Sequence, residues 1–488
     1  MFVTREGIVL EAKNWVAGEW MIPNGGSYVV NNPSRLSEEV GVVHTSEEAD
    51  VITAAEAARR ALPGWAGLAG SKRADLLYKA ADLLAARADE VAVLASREMG
   101  KPIGEMKGEV VRGVNLLRYY AAEGVRAVGS VIPASQEGVL QYTKRVPLGV
   151  VGVITPWNFP VAIPIWKMAP ALICGNTVVW KPAEFASLTA SAVAQVFADA
   201  GLPPGVLNLV VGDGAVVGQA LVEHAAVAAI SFTGSTTTGM RVATICAGRN
   251  MKYQTEMGGK NAAVVLADAD LSVAIPAVVS GAFRSAGQKC TATSRIIVEK
   301  SIYEPFVDAL SAAVRELYVG DALDPKTYLG PVASKSQYSK VQSYVDLARS
   351  EASLIVEGEL QVSPDTGYYV RPLVVTGMDV GHVLAQEEVF GPLACILTAD
   401  GFDEAVEHCN RTVYGLSASV FTRNLERAMR FLDAAEAGMV RVNLESAGVE
   451  YQAPFGGMKQ SSSHTREQGQ AALDFYSQVK TCAVYYGA

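Results

Sequence analysis

The sequence predicts an α/β protein with a doubly wound parallel sheet. Three observations carry this. Short β-prone runs alternate with longer stretches of helical apolar spacing. At 488 residues the chain is too long for one hydrophobic core, so two or three domains are expected. Half of the residues are apolar and 19% are charged, which fits a globular protein and argues against disorder.

The elements follow in order. Arg5, Glu6, Glu11 and Lys13 interrupt the N-terminus with charge, so it does not read as a signal peptide. Residues 54–61 and 72–99 are rich in Ala, Leu and charge at helical spacing. Leu140-Gln141-Tyr142-Thr143 is β-prone and belongs to no obvious unit. The 21 residues from 146 to 166 carry no charge, enough to span a bilayer, but Pro147, Pro156, Pro160 and Pro164 break any continuous helix. That stretch reads instead as a buried strand, Gly149-Val150-Val151-Gly152-Val153-Ile154, followed by a turn.

Asn176-Thr177-Val178-Val179-Trp180 is a second strand, and residues 186–200 form a helix that stops at Gly201-Leu202-Pro203-Pro204-Gly205. Val206-Leu207-Asn208-Leu209-Val210-Val211 and Ala229-Ile230-Ser231-Phe232-Thr233 are further strands. A second α/β block begins near Asn261-Ala262-Ala263-Val264-Val265-Leu266 and runs to about Phe455. The tail, Thr481-Cys482-Ala483-Val484-Tyr485-Tyr486, is β-prone again.

Several function classes are excluded. A net charge of −9 with scattered Lys and Arg gives no footprint for nucleic acid. Six widely spaced cysteines without a CxxC read as reduced thiols in a cytoplasmic protein, not as disulfides or a zinc site. His44, His224, His382, His408 and His464 show no ligand spacing, so no metal is expected.

One constellation carries chemistry. Cys290 follows the polar, turn-forming run Gly287-Gln288-Lys289, whereas Cys174, Cys246, Cys395, Cys409 and Cys482 read as buried core thiols. A thiol attacks a carbonyl carbon. Glu256, in Glu256-Met257-Gly258-Gly259-Lys260, is a carboxylate able to activate water against the resulting thioester. Asn158, in Thr155-Pro156-Trp157-Asn158-Phe159-Pro160, offers a carboxamide donor to a developing oxyanion, with the backbone N–H of Cys290. Together these describe oxidation of an aldehyde through a covalent intermediate.

These motifs, in this order and at this spacing, resemble the aldehyde dehydrogenase superfamily. The resemblance extends from Trp15-Val16-Ala17-Gly18-Glu19-Trp20 to Val479-Lys480-Thr481. It implies a Rossmann-like NAD(P)-binding domain (1–122 and 147–256), an α/β catalytic domain (257–470) and a small β oligomerisation arm (123–146 and 471–488). It implies catalytic roles for Cys290, Glu256, Asn158, Lys181 and Glu467, the last in a proton path. Members that release acyl-CoA lack a glutamate at the Glu256 position, so a free acid product is expected.

For the cofactor, no G-x-G-x-x-G follows the first strand. The resemblance places the pyrophosphate instead on Phe232, Gly234, Ser235 and Gly239, using a helix N-terminus. It assigns the adenosine ribose to Lys181 and Glu184, and the nicotinamide half to Glu388 and Phe390. Thr155, Pro156, Trp157, Gly214 and Gly258 complete the set. Glu184 accepts bonds from both ribose hydroxyls and repels a 2′-phosphate, which favours NAD over NADP.

For the substrate, the resemblance points to a tunnel lined by Arg112, Phe159, Trp166, Arg284 and Phe455. Arg112 and Arg284 stand where other members often carry Met or Phe. A guanidinium in an otherwise apolar tunnel needs an anion, which a substrate with a terminal carboxylate supplies. The residues around Cys290 and Glu467 look like the α-ketoglutarate semialdehyde (2,5-dioxopentanoate) branch, with succinate semialdehyde dehydrogenases as close relatives. Succinate-specific members often carry a second arginine where this chain has Trp166. A succinate semialdehyde or broad-specificity dehydrogenase, a CoA-acylating enzyme and an inactive binding or structural relative stand as alternatives. A homo-oligomer, dimer or tetramer, is expected, without nucleic acid or membrane partners.

Overall fold

The computed structural model describes residues 10–487, so Arg5 and Glu6 lie outside it. Five parallel strands form most of the first sheet. They lie in the spatial order Lys252–Glu256, Val227–Thr233, Val150–Ile154, Thr177–Lys181, Leu207–Leu209. A hairpin, Asn14–Val16 with Glu19–Met21, extends the sheet antiparallel beyond Leu207–Leu209. The strands are buried Val- and Ile-rich runs, as parallel strands covered on both faces must be. The chain moves outward from Val150–Ile154 through Thr177–Lys181 to Leu207–Leu209. It then returns to the other side of Val150–Ile154 with Val227–Thr233. That reversal opens a crevice at the carboxyl ends of the two central strands, where such sheets bind ligands.

A second seven-stranded sheet is ordered Ser353–Glu357, Leu373–Thr376, Leu393–Ala399, Thr293–Glu299, Asn261–Val265, Ser417–Phe421, Met439–Val442. Only Ser353–Glu357 pairs antiparallel. The last strand of the first sheet ends at Glu256 and the first strand of the second begins at Asn261. The link between them is Met257-Gly258-Gly259-Lys260.

Leu140–Thr143 and the C-terminal tail, expected to reach another copy, pair first with each other. Val139–Pro147 runs antiparallel to Ser477–Tyr485, with Val131–Ile132 on its other side. Ser477–Tyr485 is therefore an edge strand, and Val479, Val484, Tyr485 and Tyr486 on and beside it are exposed.

Several local expectations need correction. Residues 72–99 form two helices, Gly70–Ala86 and Ala88–Met99, joined at Arg87. Nothing in the local sequence breaks them, but Arg87 is held by Asp199 at 2.5 Å. The helix expected over 54–61 is longer, Glu48–Gly67, and the strand expected over 206–211 is shorter. Pro164 does not prevent a helix: it sits in the first turn of Ala162–Ile173, where its missing N–H costs nothing. Of the cysteines expected in the core, Cys174 and Cys482 are only partly buried: one caps that helix and the other lies on the edge strand. Among the described residues, no helix is long and apolar enough to cross a membrane.

Candidate active site

Cys290 lies in the turn between the helix Leu271–Phe283 and the strand Thr293–Glu299. Three successive left-handed residues, Ser285, Ala286 and Gly287, aim that turn. Such conformations strain side-chain-bearing residues and persist only where neighbours hold them. Glu105 does so, accepting from the Ser285 N–H at 2.8 Å and its hydroxyl at 2.7 Å. At Gly287 a Cβ would come within 2.2 Å of the Gly391 carbonyl, so only glycine fits. The buried Gln288 amide accepts from the Ala333 N–H at 3.0 Å, and Asn261 Nδ2 donates to the Cys290 carbonyl at 2.8 Å. None of Glu105, Gln288 or Asn261 was anticipated as a support, because each acts through the fold and not through a motif.

Two cavities meet at Cys290, which lines both together with Ile163. The first, about 180 Å³, opens at the crevice of the parallel sheet. Its wall includes Pro156, Trp157, Asn158, Gly234, Ser235, Gly258, Glu388 and Phe390. Asn158 is buried beside Cys290, and its Nδ2 donates to the Gln288 carbonyl at 2.8 Å. A carboxamide nitrogen carries two N–H groups, so one remains for an oxyanion.

Glu256 is buried at the end of its strand. Ser462 Oγ donates to its Oε2 at 2.5 Å, while Oε1 is buried without a partner. Burial, and then the charge of Glu467, holds the Glu256 carboxyl well above the usual carboxylate range; the Ser462 hydroxyl opposes this. Burial also pushes the Cys290 thiol far up, and the carboxylates of Glu388 and Glu256 add to the effect. Glu467 lies deeper, ion-paired with Lys167 and accepting from Trp166 Nε1 at 2.6 Å. Lys167 and Ser462 escaped the sequence reading. The signal for Lys167 was present: it is the charge that ends the uncharged run 146–166.

The first cavity gathers features that suit an anionic ligand. The 13-residue helix Thr236–Gly248 starts at its rim, capped by Ser235, with the positive end of its dipole at the cavity. The hydroxyls of Thr233 and Thr236 beside it are buried without partners. Gly258 lies against the Glu388 carboxylate, where a Cβ would approach to 2.6 Å, and Gly259 N–H donates to Glu388 at 3.0 Å. Trp157 packs edge-on to Phe390 at 5.6 Å.

Thr155, Phe232 and Gly239 do not line this cavity; they support it. Thr155 accepts from Trp180 Nε1 at 2.9 Å, and Gly239 packs under Met257, where a Cβ would come within 2.5 Å of the sulfur. Phe232 lies beneath Gly234 and Gly239. Lys181, Glu184 and Gly214 form a separate knot. Glu184 Oε1 accepts from Lys181 Nζ at 3.0 Å and from the Gly214 N–H at 2.9 Å.

The second cavity, about 310 Å³, brings together all five anticipated tunnel residues: Arg112, Phe159, Trp166, Arg284 and Phe455. It is not otherwise apolar as expected, because Glu105, Lys289 and Glu445 also line it. Arg112 Nη2 donates to Gln468 at 2.9 Å, but its Nε is buried without a partner. Arg284 is exposed and its guanidinium lies 5.5 Å from the Tyr328 ring centre.

Residues 20–482 match the aldehyde dehydrogenase family. An α-ketoglutaric semialdehyde dehydrogenase of Bacillus subtilis (strain 168) is 50% identical over 475 residues, covering 96% of this chain and 97% of that protein. An α-ketoglutarate semialdehyde dehydrogenase of Haloferax volcanii is 41% identical over 96% of this chain and 98% of that protein. The crystal structure of PnpE, a Pseudomonas sp. WBC-3 protein, in complex with nicotinamide adenine dinucleotide superposes with a TM-score of 0.94 at 36% identity, covering 98% of each chain. A match of this extent, on a chain whose two cavities converge on one cysteine, means that the chain belongs to the aldehyde dehydrogenase family.

Proposed function

We propose that this enzyme oxidises an ω-carboxylate semialdehyde, α-ketoglutarate semialdehyde, to the free acid, with NAD as the preferred oxidant. The observation that carries the reading is the position of Cys290 between a cavity at the crevice of the parallel sheet and one walled by Arg112, whose Nε is buried without a partner, Arg284 and Lys289. Relatives named for this substrate support it.

Cys290 gives its proton to solvent and its sulfur bonds to the aldehyde carbon as the carbonyl π pair moves onto oxygen, with the free N–H of Asn158 placed to meet that oxyanion. A bound nicotinamide supplies the hydride acceptor that turns the thiohemiacetal into a thioester. Glu256, held basic by burial and Glu467, then takes a proton from water; the hydroxide displaces the thiolate and the acid leaves. Glu467 and Lys167, behind Glu256, offer the proton an onward route. Glu184, with one oxygen left free by Lys181 and Gly214, takes the ribose hydroxyls. The first sheet serves the cofactor, the second the substrate, and the edge strand Ser477–Tyr485 joins copies of the chain in the cytoplasm.

The test is a kcat/KM panel of aldehydes with and without a terminal carboxylate, run with NAD and with NADP. The reading requires α-ketoglutarate semialdehyde to exceed pentanal by at least tenfold with NAD. Equal values for the two aldehydes would overturn it.

A further inference from the structure

The substrate cavity contains a cation that the mechanism leaves unused. Lys289 immediately precedes the nucleophile, is only 9% exposed, and lines the same cavity as Arg112 and Arg284. Its carbonyl accepts from the Ala292 N–H at 3.0 Å, but among the described residues its side chain forms no hydrogen bond or ion pair. Three other buried lysines are anchored, Lys101 to Glu109 at 2.6 Å, Lys167 to Glu467, and Lys181 to Glu184 at 3.0 Å, while Lys260 Nζ is buried without a partner outside this cavity. The Lys289 ammonium, unlike that of Lys260, is not sealed off, so a ligand in the cavity can reach it and supply an acceptor.

The charges facing Lys289 are Glu105, Glu445, Lys101 and Arg284. Lys101 is neutralised by Glu109, Glu105 is committed to the Ser285 backbone and hydroxyl, and Glu445 keeps one carboxylate oxygen buried without a hydrogen bond, to Lys289 or any other group. Burial is the largest influence on Lys289 and pulls its pKa down. Counting the ionisable side chains of the cavity wall, Arg112, Arg284 and Lys289 stand against Glu105 and Glu445. One positive charge is left over, which suits a monoanionic substrate.

We propose that Lys289 is a specificity-determining residue whose ammonium donates to the 2-oxo oxygen of the substrate. The chemistry divides the labour. A planar guanidinium matches the two oxygens of a carboxylate, whereas an ammonium is a compact donor suited to a single carbonyl oxygen. The side chain also departs from the residue next to Cys290, so it serves the part of the substrate between the aldehyde and the distal carboxylate. This rests on the proposed semialdehyde reading.

The test compares 2,5-dioxopentanoate, 5-oxopentanoate and pentanal in the wild type and in Lys289→Met and Lys289→Arg. The first two aldehydes share length and carboxylate and differ only in the 2-oxo group. The ratio of their kcat/KM values should favour 2,5-dioxopentanoate in the wild type. It should fall at least tenfold in Lys289→Met, mainly through KM, and be partly restored in Lys289→Arg. A wild-type ratio near one, or a ratio unmoved by Lys289→Met, overturns the proposal. Preference for both acids over pentanal reports separately on the semialdehyde reading, so the two failures are distinguishable. The pH profile of Cys290 alkylation by iodoacetamide should be the same in Lys289→Met and wild type; a shifted profile would mean that Lys289 acts on the thiol, and would also overturn the proposal.

Discussion

Ser462 holds one oxygen of Glu256 at 2.5 Å and leaves the other buried and unpartnered. The hydroxyl stabilises the ionised carboxylate that burial and Glu467 disfavour. Hydrogen bonds to charged groups contribute about 1.5–3 kcal/mol, and one pKa unit corresponds to about 1.4 kcal/mol. Ser462→Ala should therefore raise the Glu256 pKa further. Glu256 must be ionised to accept a proton from water, so the acid limb of kcat should move to higher pH. A kcat–pH profile measures this, and an unmoved limb would show that another step sets it.

Glu256→Gln keeps the shape of the site and removes the base. Hydride transfer should persist while acid release slows by at least a hundredfold. Intact mass spectrometry should then detect a covalent adduct on Cys290. Normal steady-state turnover in this variant would sink the assignment, and Cys290→Ala should lose turnover altogether.

Glu184→Ser should narrow the preference for NAD over NADP by roughly tenfold, about 1.4 kcal/mol. Removing the carboxylate relieves repulsion of a 2′-phosphate and frees Lys181, its partner at 3.0 Å, to attract it. The check is the ratio of kcat/KM for the two cofactors; an unchanged ratio would mean that Glu184 does not read the ribose.

Arg284→Leu should reduce the preference for α-ketoglutarate semialdehyde over pentanal by roughly tenfold. The lower end of the range for a charge-assisted contact is expected, because Arg284 is exposed and rests on Tyr328. Parallel losses on both aldehydes would make the arginine structural.

Light scattering at micromolar concentration should give at least twice the 51.5 kDa of one chain. Val479, Val484 and Tyr485 are exposed on an unpaired sheet edge, which a second copy would cover. A monomeric mass would refute this.

Much of the fold was legible because parallel strands announce themselves as short buried apolar runs between helices, as in Val150–Ile154 and Thr177–Lys181. Cys290, Asn158 and Glu256 stood out by their polar, glycine-rich surroundings. What stayed hidden depends on distance in sequence. Lys167 meets Glu467 across 300 residues, and Glu105 reaches Ser285 across 180. The break at Arg87 has its partner, Asp199, on another helix. Side chains within the substrate wall were only half foreseen, because nothing in the local sequence shows that Glu105, Glu445 and Lys289 share a cavity.

The four-residue link from Glu256 to Asn261 has a mechanical meaning. Gly258 abuts Glu388 in the first cavity, and a Cβ on Gly259 would come within 2.5 Å of the Cys290 carbonyl. The tether between the two sheets thus threads the reaction centre itself. Any rocking of one sheet against the other is levered directly onto the spacing between nucleophile and base.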